Sequence, residues 1–253
     1  MSGDVDIIRH GAVAEIVLNR PDKHNAMTAA MTATLCDACR DLNDDRNISA
    51  LVLSGAGDRA FSAGTDLHAI DDYDDIDAFL DDLNYVAQIR GLTKPVVAAL
   101  KGWVLGGGLE MAAACDIRVA ATSARFGAPE VTLGWIGGGG TSQFLPALIG
   151  YGQAMKLLAT GDHISSDEAL RIGLIEELVA PGEERPRALA LAARIAEHPG
   201  IASRSVKQAV RAALDGGLTS RLRLEREMMA YCFATGNGRS GAARFAGRKE
   251  QSD

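Results

Sequence analysis

The chain has 253 residues, 47% of them hydrophobic, and carries 33 acidic against 26 basic side chains for a net charge of −7. That is enough sequence to bury a full core in about one domain, and the acidic balance argues against general nucleic-acid binding. No apolar run reaches the ~18 residues that span a bilayer, and the opening MSGDVDIIRHGAV has neither the basic nor the apolar region of a signal peptide, so a cytoplasmic protein off the membrane is expected.

Val13 to Asn19 and Ala50 to Ser54 read as strands. Between them a helix is predicted over about residues 27 to 43, with Met27, Met31, Leu35, Ala38 and Leu42 at helical spacing. Cys36 and Cys39 form a lone C-x-x-C inside that helix. With no second C-x-x-C or nearby histidine pair, and four cysteines in all, packing in a reducing compartment is expected rather than a metal or redox site. Gly55-Ala56-Gly57-Asp58-Arg59-Ala60 matches the dinucleotide fingerprint G-x-G-x-x-A, with acids such as Asp72 downstream. The helix that the fingerprint needs does not follow. Phe61-Ser62-Ala63-Gly64-Thr65-Asp66 is a small-residue turn instead, so Gly55 and Gly57 are read as a surface turn.

His68 is read as a half-exposed packing residue, and Asp71-Asp72-Tyr73-Asp74-Asp75-Ile76-Asp77 as a solvated loop or helix start. Ile76, Phe79, Leu80, Leu83, Val86 and Ala87 then mark a second amphipathic helix, followed by a strand over Val96 to Leu100. Next comes Gly106-Gly107-Gly108, opening the apolar segment Leu109 to Ala114. Its N–H groups should be free to face a ligand, and Glu110, one turn past Gly107, can border whatever they hold. Glu130 stands on a separate element. Two such carboxylates can hold one water between them, one taking a proton as the other gives one, if burial moves a pKa toward neutrality. Glycines followed by a carboxylate suit carbonyl chemistry better than phosphate binding.

Beyond residue 140 the pattern is helical, with a Ser165-x-x-Glu168 capping box, Gly173 as a stop, and helices near 183–197, 201–214 and 219–234. The alternation of strands and helices indicates an α/β fold. Leu218, Leu222, Met229 and Phe233, with Met228 and Cys232 alongside, are more apolar surface than a terminal hairpin can bury, so a partner surface is expected.

Four blocks, LNRPDKHNAM (18–27), AFSAGTDL (60–67), GWVLGGGLEMAAACDIRVA (102–120) and FGAPEVTLGWIGGGG (126–140), resemble the crotonase family, also called the enoyl-CoA hydratase/isomerase family. ATGDHISSDEALRIGLIEELV (159–179) and the tail CFATGNGRSGAARFAGRK (232–249) support the resemblance across nearly the whole chain. It implies a spiral of strand–strand–helix turns over 1–197, and a C-terminal helical region, 198–253, that builds a homotrimer or homohexamer. It also implies an acyl-CoA thioester substrate and no cofactor, coenzyme A being part of the substrate, nor any metal. Backbone N–H groups of Thr65 and Gly107 would form the oxyanion hole, Glu110 would help activate water, Glu130 would supply the α-proton, and the Gly138 N–H would help hold the water. Lys23, Ala63, Asp66 and Leu67 would lie along coenzyme A, and Arg248 and Lys249 would meet its 3′-phosphate in a neighbouring subunit.

The activity implied is syn hydration of a trans-2-enoyl-CoA. Double-bond isomerisation, decarboxylation or thioester hydrolysis on the same oxyanion hole, and a non-catalytic CoA-thioester scaffold, stay open as alternatives. Two departures bear on the acyl pocket: Gly137 stands where the family commonly has the proline of I-P-G, and Thr141-Ser142-Gln143-Phe144 replaces the common G-T-Q-R. The tail, Gly236-Asn237-Gly238-Arg239-Ser240-Gly241, lacks the usual acidic pair. The stretch around Asp71 to Asp77 would wall the acyl pocket.

Overall fold

The computed structural model describes residues 5–67, 77, 80, 84–214 and 216–236. Its larger sheet has six strands in the order β1 (Val5–His10), β2 (Val13–Leu18), β3 (Ala50–Gly55), β5 (Val96–Leu100), β7 (Ile117–Ala121) and β10 (Glu177–Val179). Only the β1–β2 pair is antiparallel; the other four pairings are parallel. The smaller sheet sets three-residue strands in the order β4 (Ala60–Ser62), β6 (Trp103–Leu105), β8 (Arg125–Gly127) and β9 (His163–Ser165).

From β3 onward the chain repeats one turn. A strand in the large sheet is followed by a short strand in the small sheet and then by helix: β3, β4 and α2 (Tyr85–Gly91); β5, β6 and α3 (Gly107–Ala114); β7, β8 and, past a short 3-10 turn at Pro129–Leu133, α4 (Thr141–Ile149). The central strands ALVLSG, VVAAL and IRVAA are near-continuous apolar runs because both faces of a parallel sheet are covered. Leu51, Leu53, Ala98, Leu100 and Ala120 pack on one face with Leu35 and Leu42 of α1 (Ala29–Asp44). Val52, Val97, Ala99 and Val119 pack on the other with Ala188 and Ala192 of α7 (Glu184–Ala196).

The helix predicted from residue 27 starts at Ala29, where Thr28 Oγ1 accepts from Met31 N at 3.2 Å. Cys39 sits in the core of that helix, its thiol pushed up to about 12 by burial. The surface-turn reading holds for Gly57, which is exposed with φ +72, but not for Gly55. Gly55 ends β3 in the core, where an added Cβ would overlap Phe61 O. The glycine run does not follow β5 directly, since β6 intervenes. Ser165 forms half of its capping box, accepting from Glu168 N at 3.2 Å before α6 (Ser166–Arg171), while the Glu168 carboxylate pairs with Arg171 at 2.6 Å instead. His68, Asp71 to Ile76, Phe79, Leu83, Arg248 and Lys249 lie outside the described residues; α2 is the C-terminal part of the second amphipathic helix.

Past α5 (Tyr151–Thr160) and α7, helix α8 (Gly200–Ala212) is fastened to the core through Asp116. That carboxylate accepts from Lys207 Nζ at 2.7 Å, Arg211 Nη2 at 3.1 Å and Val96 N at 2.8 Å. Helix α9 (Leu218–Ala234) packs on α8 and has no buried residue, leaving Leu218 and Met229 about 70% exposed. Among the described residues no helix is long and apolar enough to cross a membrane.

Candidate active site

Three consecutive parallel strands of the small sheet, β4, β6 and β8, deliver the predicted residues: Thr65 follows β4, Gly107 and Glu110 follow β6, and Glu130 follows β8. The spiral therefore turns residues 65 positions apart in sequence into neighbours. The β4 turn is set by Asn25, fully buried with φ +53, whose Nδ2 donates to Ala56 O, Ala60 O and Phe61 O at 3.0 to 3.1 Å. Ser62 Oγ donates to Asn25 O at 2.8 Å and accepts from Gly64 N at 3.1 Å, holding the chain just before Thr65. Gly64 has φ +90, and a Cβ there would stand 2.7 Å from Gly107 N. Only glycine lets the Thr65 turn meet the start of α3 this closely.

Gly107 is the first residue of α3, so its N–H has no acceptor within the helix. Its α-carbon faces a residue that the sequence analysis did not single out: Tyr85, 1% exposed, whose hydroxyl lies 3.3 Å from Thr65 Oγ1 and would overlap a Cβ on Gly107. Gly107 thus has a packing reason as well as its N–H to be glycine. A buried phenol at helical spacing looks like core in a sequence, and nothing local to Asn84-Tyr85-Val86 separates the two.

Glu110 is 2% exposed. Its Oε1 accepts from Gly139 N at 2.8 Å, Thr141 N at 3.3 Å and Thr141 Oγ1 at 3.4 Å. Burial raises its pKa, and these donors work against the rise. The Thr141 N–H belongs to the first turn of α4, so Glu110 caps that helix from another element, where the helix dipole favours a negative charge. Glu130 rides the 3-10 turn after β8, with Oε1 3.2 Å from where a Cβ on Gly106 would stand. Its pKa is also raised, first by burial and then by the charge of Glu110. Among the described residues its buried Oε2 has no hydrogen-bond partner. One carboxylate is anchored and the other is left with an unmet oxygen.

The chain from residue 9 to 252 matches the family model described as enoyl-CoA hydratase/isomerase. This protein belongs to the enoyl-CoA hydratase/isomerase family. It is 35% identical over 243 residues to the crotonyl-CoA hydratase of Syntrophomonas wolfei, covering 94% of this chain and 93% of the relative. It is 33% identical over 250 residues to the short-chain-enoyl-CoA hydratase of Clostridium acetobutylicum, covering 98% and 96%. The solved enoyl-CoA hydratase of Bacillus anthracis superposes with a TM-score of 0.93 at 32% identity, covering 97% of each chain. The repeated strand–strand–helix turn of this protein is the crotonase fold.

The other family positions are less concentrated. Gly138 is exposed on the loop before α4, and the backbone N–H groups reaching Glu110 are those of Gly139 and Thr141. Ala63 is half-buried, Leu67 exposed, and Lys23 exposed on a 3-10 turn at Pro21–Lys23. Asp66 is engaged within the protein, its carboxylate accepting from Arg20 Nη1 at 2.7 Å and its N–H donating to Met27 O at 2.8 Å.

Proposed function

We propose that this family member is an enoyl-CoA hydratase, adding water across the double bond of a trans-2-enoyl-CoA to give a 3-hydroxyacyl-CoA. The observation that carries the reading is the unequal pair of carboxylates at the mouth of α3, Glu110 buried and Glu130 half-buried with a buried Oε2. Glu110 Oε1 is occupied by three donors, so Oε2 is the oxygen that takes a proton from the attacking water. Glu130, with its raised pKa and unmet Oε2, is the group that delivers a proton to the α-carbon.

The hydroxide oxygen bonds to the β-carbon as the carbon–carbon π electrons move toward the thioester carbonyl. The resulting enolate oxygen rests on the N–H groups of Thr65 and Gly107. Collapse of the enolate onto the α-carbon takes up the proton from Glu130, leaving Glu110 protonated and Glu130 ionised; passage of that proton from Glu110 to Glu130 restores the starting state. No metal or redox cofactor enters this scheme, coenzyme A being part of the substrate.

Coenzyme A would run past Lys23, Ala63, Asp66 and Leu67, with Arg248 and Lys249 reaching the 3′-phosphate in a neighbouring subunit. We take residues 1–197 as the catalytic spiral and 198–253 as the assembly region of a cytoplasmic homotrimer or homohexamer. The exposed apolar residues of α8 and α9, including Val206, Val210, Leu218 and Met229, support that assembly. A panel of short, medium and branched enoyl-CoAs, followed by loss of the conjugated thioester absorbance and by product mass, tests the reaction. A gain of 18 mass units is the expected result for water addition; a product of unchanged mass with a moved double bond would make the enzyme an isomerase.

A further inference from the structure

The two departures around Glu110 touch each other. A Cβ on Gly137 would overlap Thr141 Oγ1 and stand 2.7 Å from Glu110 Oε1. Thr141 is 1% exposed, and its hydroxyl occupies that volume while donating to Glu110 Oε1. A side chain at position 137 and the hydroxyl at position 141 therefore exclude one another. The common family pattern has the first without the second, and this chain has the second without the first.

We propose that Gly137 and Thr141 are one compensated exchange, in which the side chain given up at 137 makes room for a Thr141 hydroxyl that positions Glu110. Thr141 is thus a positioning residue for the carboxylate that activates water, and this role rests on the hydratase reading; the exchange itself does not. The physical effect is to fix which oxygen of Glu110 is anchored. Gly139 supports the same arrangement from the other side, since a Cβ there would stand 2.7 Å from Val86 Cγ2 and overlap Glu110 Oε2, the oxygen left to meet water.

The exchange is tested without substrate, on the intact protein, by a cycle of Gly137→Ala, Thr141→Gly and the double variant. Gly137→Ala is expected to lower the unfolding midpoint by about 2–4 °C in the native background, and by less than half as much beside Thr141→Gly. Equal shifts in the two backgrounds would overturn the exchange. The positioning role is tested with Thr141→Val, which keeps shape but loses the donor, and Thr141→Ser, which keeps the donor. Thr141→Val is expected to lose about 3–10-fold in kcat/KM on a short enoyl-CoA. The acidic limb of its pH profile is expected to move upward, with Thr141→Ser restoring both. A Thr141→Val enzyme with the native pH profile would overturn the role. If the native protein hydrated no enoyl-CoA, the reaction assignment would fail while the substrate-free cycle still decided the exchange.

Discussion

The charge of Glu110 bears on Glu130, and the two carboxylates differ in how they are held: three donors meet Glu110 Oε1, while the buried Oε2 of Glu130 meets none among the described residues. Burial of a carboxylate oxygen without a partner is unfavourable for its charge, and it raises the pKa of Glu130 although the residue's own backbone N–H works against the rise.

Replacing Glu130 by Gln keeps the shape and removes the proton. Hydration should fall by roughly 10²–10⁴-fold while acyl-CoA binding persists. The same variant should be more stable than the native protein at neutral pH. The folded pKa of Glu130 is raised, so the folded state binds more protons than the unfolded state above the ordinary carboxylate value. Stability is then lost as pH rises through that window. Melting scans at pH 4 and pH 7.5 check the sign: the gain should appear only at the higher pH. A variant less stable at pH 7.5 would mean that Glu130 is satisfied in the folded protein.

The pair should titrate as a unit during turnover. With Glu110 needed ionised and Glu130 needed protonated, kcat/KM should be bell-shaped, its acidic limb above the usual carboxylate range because burial raises Glu110. Glu110→Gln should abolish that limb along with most of the rate. A profile flat from pH 5 to 9 would exclude the assigned roles.

Gly107→Pro should abolish turnover, since proline has no N–H to offer an oxyanion and the loss of one such donor costs about 3–4 kcal/mol at the transition state. The Tyr85 hydroxyl beside it suggests a milder probe. Tyr85→Phe removes the 3.3 Å contact to Thr65 and should lower kcat/KM by roughly 3–10-fold with little change in the unfolding midpoint. Unchanged kinetics would leave Tyr85 as packing alone.

Asp116 gathers Lys207, Arg211 and the Val96 N–H, and burial lowers the Lys207 pKa to about 8 even beside that carboxylate. Asp116→Ala would leave the buried Lys207 and the half-buried Arg211 without their shared carboxylate and should cost about 3–5 kcal/mol in urea unfolding. The loss should extend to assembly, because α8 carries α9. Light scattering of the native protein should give a trimer or hexamer, and truncation after residue 197 should lose both the oligomer and most activity. A monomer at micromolar concentration would show that the exposed face of α9 has some other cover.

The sequence by itself determined the α/β alternation, the helices beyond residue 180 to within two residues, and the blocks that place Thr65, Gly107, Glu110 and Glu130, because long periodic segments and glycine-marked turns carry their signal locally. Only the tertiary structure decided the small sheet, whose three-residue strands are too short to show a period: β4, β6 and β8 each follow a strand of the large sheet, and β9 forms by pairing with β8. It decided that Gly55 is a core glycine, since the Phe61 carbonyl pressed against it comes from the next strand. It decided the environment of the carboxylates as well. That Glu110 would be capped by residues 139 and 141 and Glu130 left with an unmet oxygen depends on which elements the spiral brings together, and no window of sequence contains both sides of such a contact.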